Sequence, residues 1–153
     1  MSKEKAKAKA KEKAAATRVG IENGRAAYAF QKINDYVQDN INNEKGLKEY
    51  RSYLKKLPAM IQVNGLGQTL AFCFAKGGQY QVIYGQLEEW IRQQQSTLIK
   101  QYDNKPAKKF VELVVMMDSR DYRIITNEVI AVLDWMRRFA DGLIRPLVNE
   151  QEG

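Results

Sequence analysis

The amino-acid sequence predicts an all-α fold, a single compact bundle of about six helices behind a basic N-terminal extension. Three observations carry that prediction. Apolar residues recur at steps of three and four through every long segment, the spacing that lines one face of a helix. No segment alternates apolar and polar residues with the period of two that a half-buried strand requires. Glycine and proline number only 10 and 3 among 153 residues, too few for turn-rich β architecture. One domain fits this length, with an extension over residues 1–17, a helical bundle over 18–148 and a short tail over 149–153.

In the extension lysine alternates with alanine. Both residues favour helix, but alternation spreads the charge around the whole cylinder and sets Lys3, Lys7 and Lys11 four apart, where like charges repel. A frayed or helical segment is expected, suited either to keeping the chain soluble or to ordering against a polyanion. It lacks the apolar core of a secretory signal, and no stretch of the chain approaches the roughly 20 apolar residues of a membrane helix. A cytoplasmic location, with no membrane partner, is expected.

From residue 18 onward the apolar series is Ala26, Phe30, Ile33, Val37 and Ile41, the stripe of a first helix. Arg18, Arg25 and Lys32 stand seven apart on another stripe, either a solvated face or a rail for phosphates. An asparagine-rich segment around Asn40, Asn42 and Asn43 turns the chain. Leu47, Tyr50, Leu54, Leu57 and Ile61 then define a second helix, with Lys45, Lys48, Arg51, Lys55 and Lys56 beside them and Glu44 and Glu49 as the local counter-charges. Pro58 predicts a bend there and a short separate segment over 58–63, because proline removes a hydrogen bond and clashes with the preceding turn.

Asn64 is the expected N-cap of the next helix, whose stripe is Leu66, Leu70, Cys73 and Phe74 and whose stop is Lys76, Gly77 and Gly78. Gly65 and Gly67 each cost roughly 1 kcal/mol relative to alanine inside a helix, which implies a close approach by a neighbouring helix or a nucleic-acid backbone. The spacing is not that of a P-loop. Tyr80, Ile83, Tyr84, Leu87, Ile91, Gln94 and Leu98 form one further series with Trp90 beside it. Asn104 and Lys105 before Pro106 predict a turn into a helix carrying Phe110, Leu113, Val114 and Met117, with Lys105, Lys108 and Lys109 as a second basic group. Residues 118–125 read as a connector, Thr126 as the cap of the last helix and Glu128 as a carboxylate suited to its first turn. Its stripe is Val129, Leu133, Met136, Phe139, Leu143 and Leu147, with Asp134–Arg138 and Asp141–Arg145 spaced as i,i+4 pairs.

The net charge of +7 sits largely in residues 1–18, where Lys3, Lys5, Lys7, Lys9, Lys11, Lys13 and Arg18 face only Glu4 and Glu12. Local clustering, not global charge, therefore marks the body of the chain. The chain has no histidine, which removes imidazole general bases and the usual nitrogen ligands of zinc. Its one cysteine, Cys73, lies between Phe72 and Phe74 and reads as a small packed hydrophobe. No metal, cofactor or catalytic residue is assigned. A metal-independent nuclease working through lysine and carboxylates lacks the usual acid–base groups.

The stretch over residues 50–76 gives the most specific signal. Tyr50-Arg51-Ser52-Tyr53, Lys55-Lys56-Leu57-Pro58-Ala59-Met60-Ile61 and Asn64-Gly65-Leu66-Gly67-Gln68-Thr69-Leu70-Ala71-Phe72 follow one another in it. With Thr126-Asn127-Glu128 and Leu133-Asp134-Trp135-Met136-Arg137-Arg138-Phe139-Ala140, this order and spacing resembles the small helical subunit family of Cmr-type (type III-B) CRISPR RNA-guided effector complexes. The resemblance covers residues 25–143 and leaves the lysine-rich start outside.

It implies a non-catalytic subunit of an antiviral complex, several copies of which stack into a minor filament beside guide-bearing backbone subunits. These copies line the channel where target RNA pairs with guide RNA, and target cleavage belongs to the backbone subunits. Base pairing then reads the sequence, so the protein needs only to hold backbone and shape, and lysine and arginine neutralise phosphates without base specificity. The expected contact group is Arg51, Lys55, Lys56 and Lys76, with Lys48, Arg25 and Arg137 next. The helix N-terminus over 64–68 offers further N–H donors to a phosphate. Tyr28, Tyr36, Trp90 and Trp135 are candidates for contacts between copies, although internal packing suits the tryptophans better. The alternative reading is a helical interaction module whose basic face meets an acidic protein partner.

Overall fold

Helix formation dominates the computed structural model, which describes residues 2–103 and 108–149 and contains no strand among them. The helices are α1 (Ser2–Asp39), α2 (Glu44–Asn64), α3 (Leu66–Lys76), α4 (Gln79–Gln94), α5 (Ser96–Tyr102), α6 (Phe110–Met116) and α7 (Ser119–Ile144), followed by a 3-10 turn at Arg145–Leu147. The all-α class holds, and the count among the described residues is seven α-helices and one 3-10 turn, not about six. The turn expected at Asn104, Lys105 and Pro106 lies outside the described residues.

Three boundaries differ from expectation, each for a physical reason. Pro58 does not start a new segment, because α2 runs through it to Asn64. Leu54, Leu57 and Ile61 on either side of it are buried, and burying each is worth about 1.5–3 kcal/mol, more together than the roughly 3 kcal/mol cost of an interior proline. The opposite happens at Gln95, where the single series expected over residues 80–98 divides into α4 and α5. The break resets the register, so that Ile99 enters the core while Leu98 stays half-buried. The last helix begins earlier than Thr126: the Asp118 carboxylate accepts the Asp121 N–H at 2.9 Å and caps α7. Aspartate caps as well as threonine, and Thr126 instead donates its hydroxyl to the Tyr122 carbonyl within the helix at 2.8 Å.

Helix α7 packs against both α1 and α2, while α3 packs on α2, α4 and α6. Near one end of the α2–α7 pair Arg51 meets Asp141, and farther along Gln62 and Ile130 line one groove. The two helices therefore run antiparallel. Ile125, Val129, Val132, Leu133, Met136, Ala140 and Ile144 form the buried face of α7. Tyr50 sits in the core on α2, stacked on Tyr36 with ring centroids 3.8 Å apart, and donates its hydroxyl to Gln86 Oε1 at 2.6 Å.

Several expected core positions are exposed. Phe30, Ile41, Phe74 and Leu147 lie at the surface, because Ala29, Tyr36, Cys73 and Ile144 occupy the inward positions near them. Conversely Tyr28, Tyr36 and Trp90 are buried and so are not surfaces for contacts between copies. Tyr28 lies 4.8 Å from Trp90, ring to ring.

Candidate nucleic-acid interface

The basic residues singled out from the sequence fall on two surfaces and in one internal network. Arg25 belongs to the network. Its guanidinium donates to both carboxylate oxygens of Glu128 on α7, at 3.0 and 2.6 Å, and to Glu22 at 2.7 Å. Glu128 also accepts the Trp90 indole N–H from α4 at 2.8 Å, and Glu22 accepts that of Trp135 at 2.8 Å. Burial opposes ionisation of Glu128, but the hydrogen bonds from Arg25 and Trp90 outweigh it and hold the carboxyl below its usual range. Glu128 is thus a buried tie between α1, α4 and α7, not a dipole partner at a helix start.

The first surface is the seam between α2 and α7. Arg51 Nε donates to Asp141 Oδ1 at 2.8 Å, and the Lys55 ammonium reaches the same oxygen at 3.4 Å. Asp141 was expected to serve Arg145 four residues on. Burial opposes its ionisation, yet Arg51 and Lys55 hold its carboxyl below the usual range. Arg137 pairs with Asp134 at 2.8 Å, three residues away and not four, and Arg138 reaches the other oxygen at 3.5 Å. Lys48 lies one turn from Glu44, 3.5 Å from it. Lys55 and Lys56 are exposed, and Lys56 makes no ion pair among the described residues.

Between the two helices runs a groove of ≈ 500 Å³ lined from α2 by Lys55, Pro58, Ala59 and Gln62 and from α7 by Trp135 and Arg137, among others. It brings together Lys55 and Arg137, which stand far apart in the chain. Gln62 is an exposed amide beside them that charge counting passes over. The carboxylates of Glu22 and Asp134 line the same groove beside these cationic and indole side chains.

Lys76 lies apart from this seam, exposed at the end of α3 where Gly77 and Gly78 take positive φ. The N-terminus of α3 does not offer its donors freely. Gly65 takes φ 85° there and no side chain from Asn64 caps the helix; instead the Tyr122 hydroxyl accepts the Gly67 N–H at 2.8 Å. A Cβ at Gly65 would come within 3.1 Å of that hydroxyl, and one at Gly67 within 3.2 Å of Val115. The close approach predicted at these glycines is therefore to neighbouring helices.

The chemistry this arrangement supports is electrostatic holding. No group of three or more histidine, cysteine, aspartate or glutamate side chains among the described residues is placed to hold a metal. Burial pushes the Cys73 thiol up to about 11, far from the thiolate range of a nucleophile. No helix among the described residues is long and apolar enough to cross a membrane.

Comparison with known proteins agrees with the motif order. Residues 21–143 match the family model described as CRISPR-associated protein (Cas_Cmr5). A protein of Thermus thermophilus named CRISPR system Cmr subunit Cmr5 is 28% identical over 114 residues, which cover 74% of this chain and 90% of the relative. With most of its helical body inside the matched region, the chain belongs to the Cas_Cmr5 family of CRISPR-associated proteins.

Proposed function

We propose that the chain is the non-catalytic small subunit of a Cmr-type CRISPR effector complex in the cytoplasm. There it stacks with copies of itself beside the other subunits and holds the backbone of paired guide and target RNA. One observation carries the RNA-holding part: Lys55 and Arg137 line a single groove between α2 and α7, with Lys56 exposed alongside. Ammonium and guanidinium groups so placed neutralise successive phosphates, while sequence is left to base pairing. The carboxylates of Asp134 and Asp141 pre-position their cationic partners and lower the net charge of the seam, which favours a reversible grip over a tight one. Membership in the family and the name of the Thermus relative support the assignment to a Cmr complex.

The test is RNA retention by the reconstituted complex over a salt series, with wild type against Lys55→Ala/Lys56→Ala. Loss of two phosphate contacts is expected to reduce the slope of log affinity on log salt by roughly 1.4–1.8. An unchanged slope would sink the RNA-holding role. Retained binding of acidic subunits only by the wild type would favour the alternative, an acidic protein partner on the same basic face.

A further inference from the structure

The indole of Trp135 forms an aromatic wall of the groove between α2 and α7, and phosphate holding leaves it unused. Trp90 is 3% exposed and serves the core, whereas Trp135 is only half-buried. Its Nε1–H is already spent on Glu22 at 2.8 Å, and Arg25 donates to the other oxygen of that carboxylate at 2.7 Å. Phe139 backs the ring, with centroids 5.7 Å apart and planes 24° from parallel, and Phe30 meets Phe139 edge-on at 5.3 Å. The indole is therefore held in place from α1 and α7, and it offers the groove aromatic surface without a free donor.

The charges inside the groove cancel. Lys55 and Arg137 are met in the same lining by Glu22 and Asp134, and among the described residues the rest of it is apolar apart from the Gln62 amide. A run of phosphates needs a surplus of cations, and that surplus lies outside the groove, at the exposed Lys56 and Arg138. The lining itself combines an aromatic face with hydrogen-bonding groups of both kinds: donors on Lys55, Arg137 and Gln62, acceptors on Asp134 and Gln62. Arg137 bonds only through Nη2, to Asp134, and its buried Nε has no acceptor among the described residues. An acidic peptide would meet two carboxylates here and no net positive charge. A flat, uncharged aromatic ring with donors and acceptors along its edge fits the lining, and a nucleobase is such a ring. The groove's ≈ 500 Å³ admits one.

We infer that this groove takes an unpaired nucleobase, stacked on Trp135, while the phosphates on either side of that base lie against Lys55 and Lys56 at the rim. The inference rests on the RNA-holding reading and adds to it the kind of nucleotide the groove accepts. A base inside a duplex has its faces covered by its neighbours and its edge by its partner, so the groove favours a single-stranded segment. Every base has an aromatic face, so stacking grips the strand without reading its sequence. Glu22 and Phe139 fix the indole before RNA arrives, which lowers the ordering cost of binding.

Binding of the full chain to a single-stranded adenosine hexamer tests this, against the same hexamer with abasic residues at its central positions. The two oligomers carry the same phosphates, so only the base contact separates them. Wild type is expected to bind the intact oligomer about tenfold tighter, within the range for one base stacked on an aromatic ring. Its tryptophan emission is expected to fall on binding. Trp135→Ala is expected to lose the preference and the quenching, and to keep its affinity for the abasic oligomer and its salt slope. Trp135→Phe, which retains a ring, is expected to keep most of the preference. Circular dichroism checks that each variant folds, and the wild-type comparison decides the matter even where Trp135→Ala does not. Equal binding of the two oligomers by wild type, binding of neither at low salt, or a preference that survives in Trp135→Ala overturns the proposal. Lys55→Ala/Lys56→Ala is expected to weaken both oligomers alike and to leave the preference near its wild-type size. Failure of the backbone reading thus shows in the salt slope of the reconstituted complex, and failure of the base site in the abasic comparison.

Discussion

Arg25 on α1 holds Glu128 on α7 through two parallel hydrogen bonds, across 103 positions of sequence. Glu128 is buried and Trp90 completes its shell, so the pair works as one fully satisfied polar node among apolar helices. Such a node stabilises little relative to an apolar core, yet breaking it strands a charge.

Removal of the carboxylate is therefore expected to be costly. Glu128→Ala leaves the Arg25 guanidinium and the Trp90 N–H without their acceptor and opens a cavity. Unfolding in urea at neutral pH is expected to show a loss on the order of 3 kcal/mol. A loss under about 0.5 kcal/mol would mean that water or Glu22 replaces the node.

The same node makes stability depend on pH. Glu128 has a folded pKa lowered from its ordinary value, so its contribution is fully present above the unfolded value of about 4.3 and disappears as pH falls through the folded one. Asp141 shifts in the same direction. Urea midpoints measured from neutral pH downward should hold until about pH 5 and then fall. Glu128→Gln should flatten that fall, and an unaltered profile in this variant would assign the acid sensitivity elsewhere.

Tyr122 caps α3 from outside the helix, taking the N–H of Gly67. Tyr122→Phe keeps the ring and removes the acceptor, with an expected cost of about 1 kcal/mol. Gly65→Ala is expected to cost at least as much, since φ 85° strains any L side chain and the new methyl would meet the same hydroxyl at 3.1 Å. Thermal melts of both variants check the two expectations, and a Gly65→Ala protein as stable as wild type would contradict the second.

Asp141→Asn separates structural from RNA-facing charge on the seam. It removes the negative charge that Arg51 and Lys55 share, and for a partly exposed group the stability cost is expected to stay under about 1 kcal/mol. RNA affinity of the reconstituted complex is expected to rise, with a steeper salt dependence. A fall in affinity at full stability would show that Asp141 positions these cations for RNA.

Helical class, the stop at Gly77 and Gly78 and most of the core were legible in periodicity, because burial of one helix face imposes the same three-and-four spacing wherever the helix lies. Leu47, Tyr50, Leu54, Leu57 and Ile61 were all placed correctly on these grounds. Boundaries were less legible. Pro58 and Thr126 carry strong local signals, but local preferences of a few kcal/mol yield to the packing of Leu57, Ile61 and Ile125. At the seam, the basic character of α2 was visible, while the reach of Arg51 and Lys55 to Asp141 was not, because a spacing of four says only which partner is near along one helix.

Periodicity was enough for the helical class, and the ordered motifs from Tyr50 to Ala140 for the family. These are properties of short-range spacing and of residue identity, and no folding is needed to read them. Which charges are spent internally, and which face outward, was decided only when α7 came to lie against α1 and α2. That packing buried Glu128 against Arg25, drew Arg51 to Asp141 and set Lys55 beside Arg137. An ion pair depends on distance in space, and residues 51 and 141 acquire theirs from the antiparallel meeting of two helices.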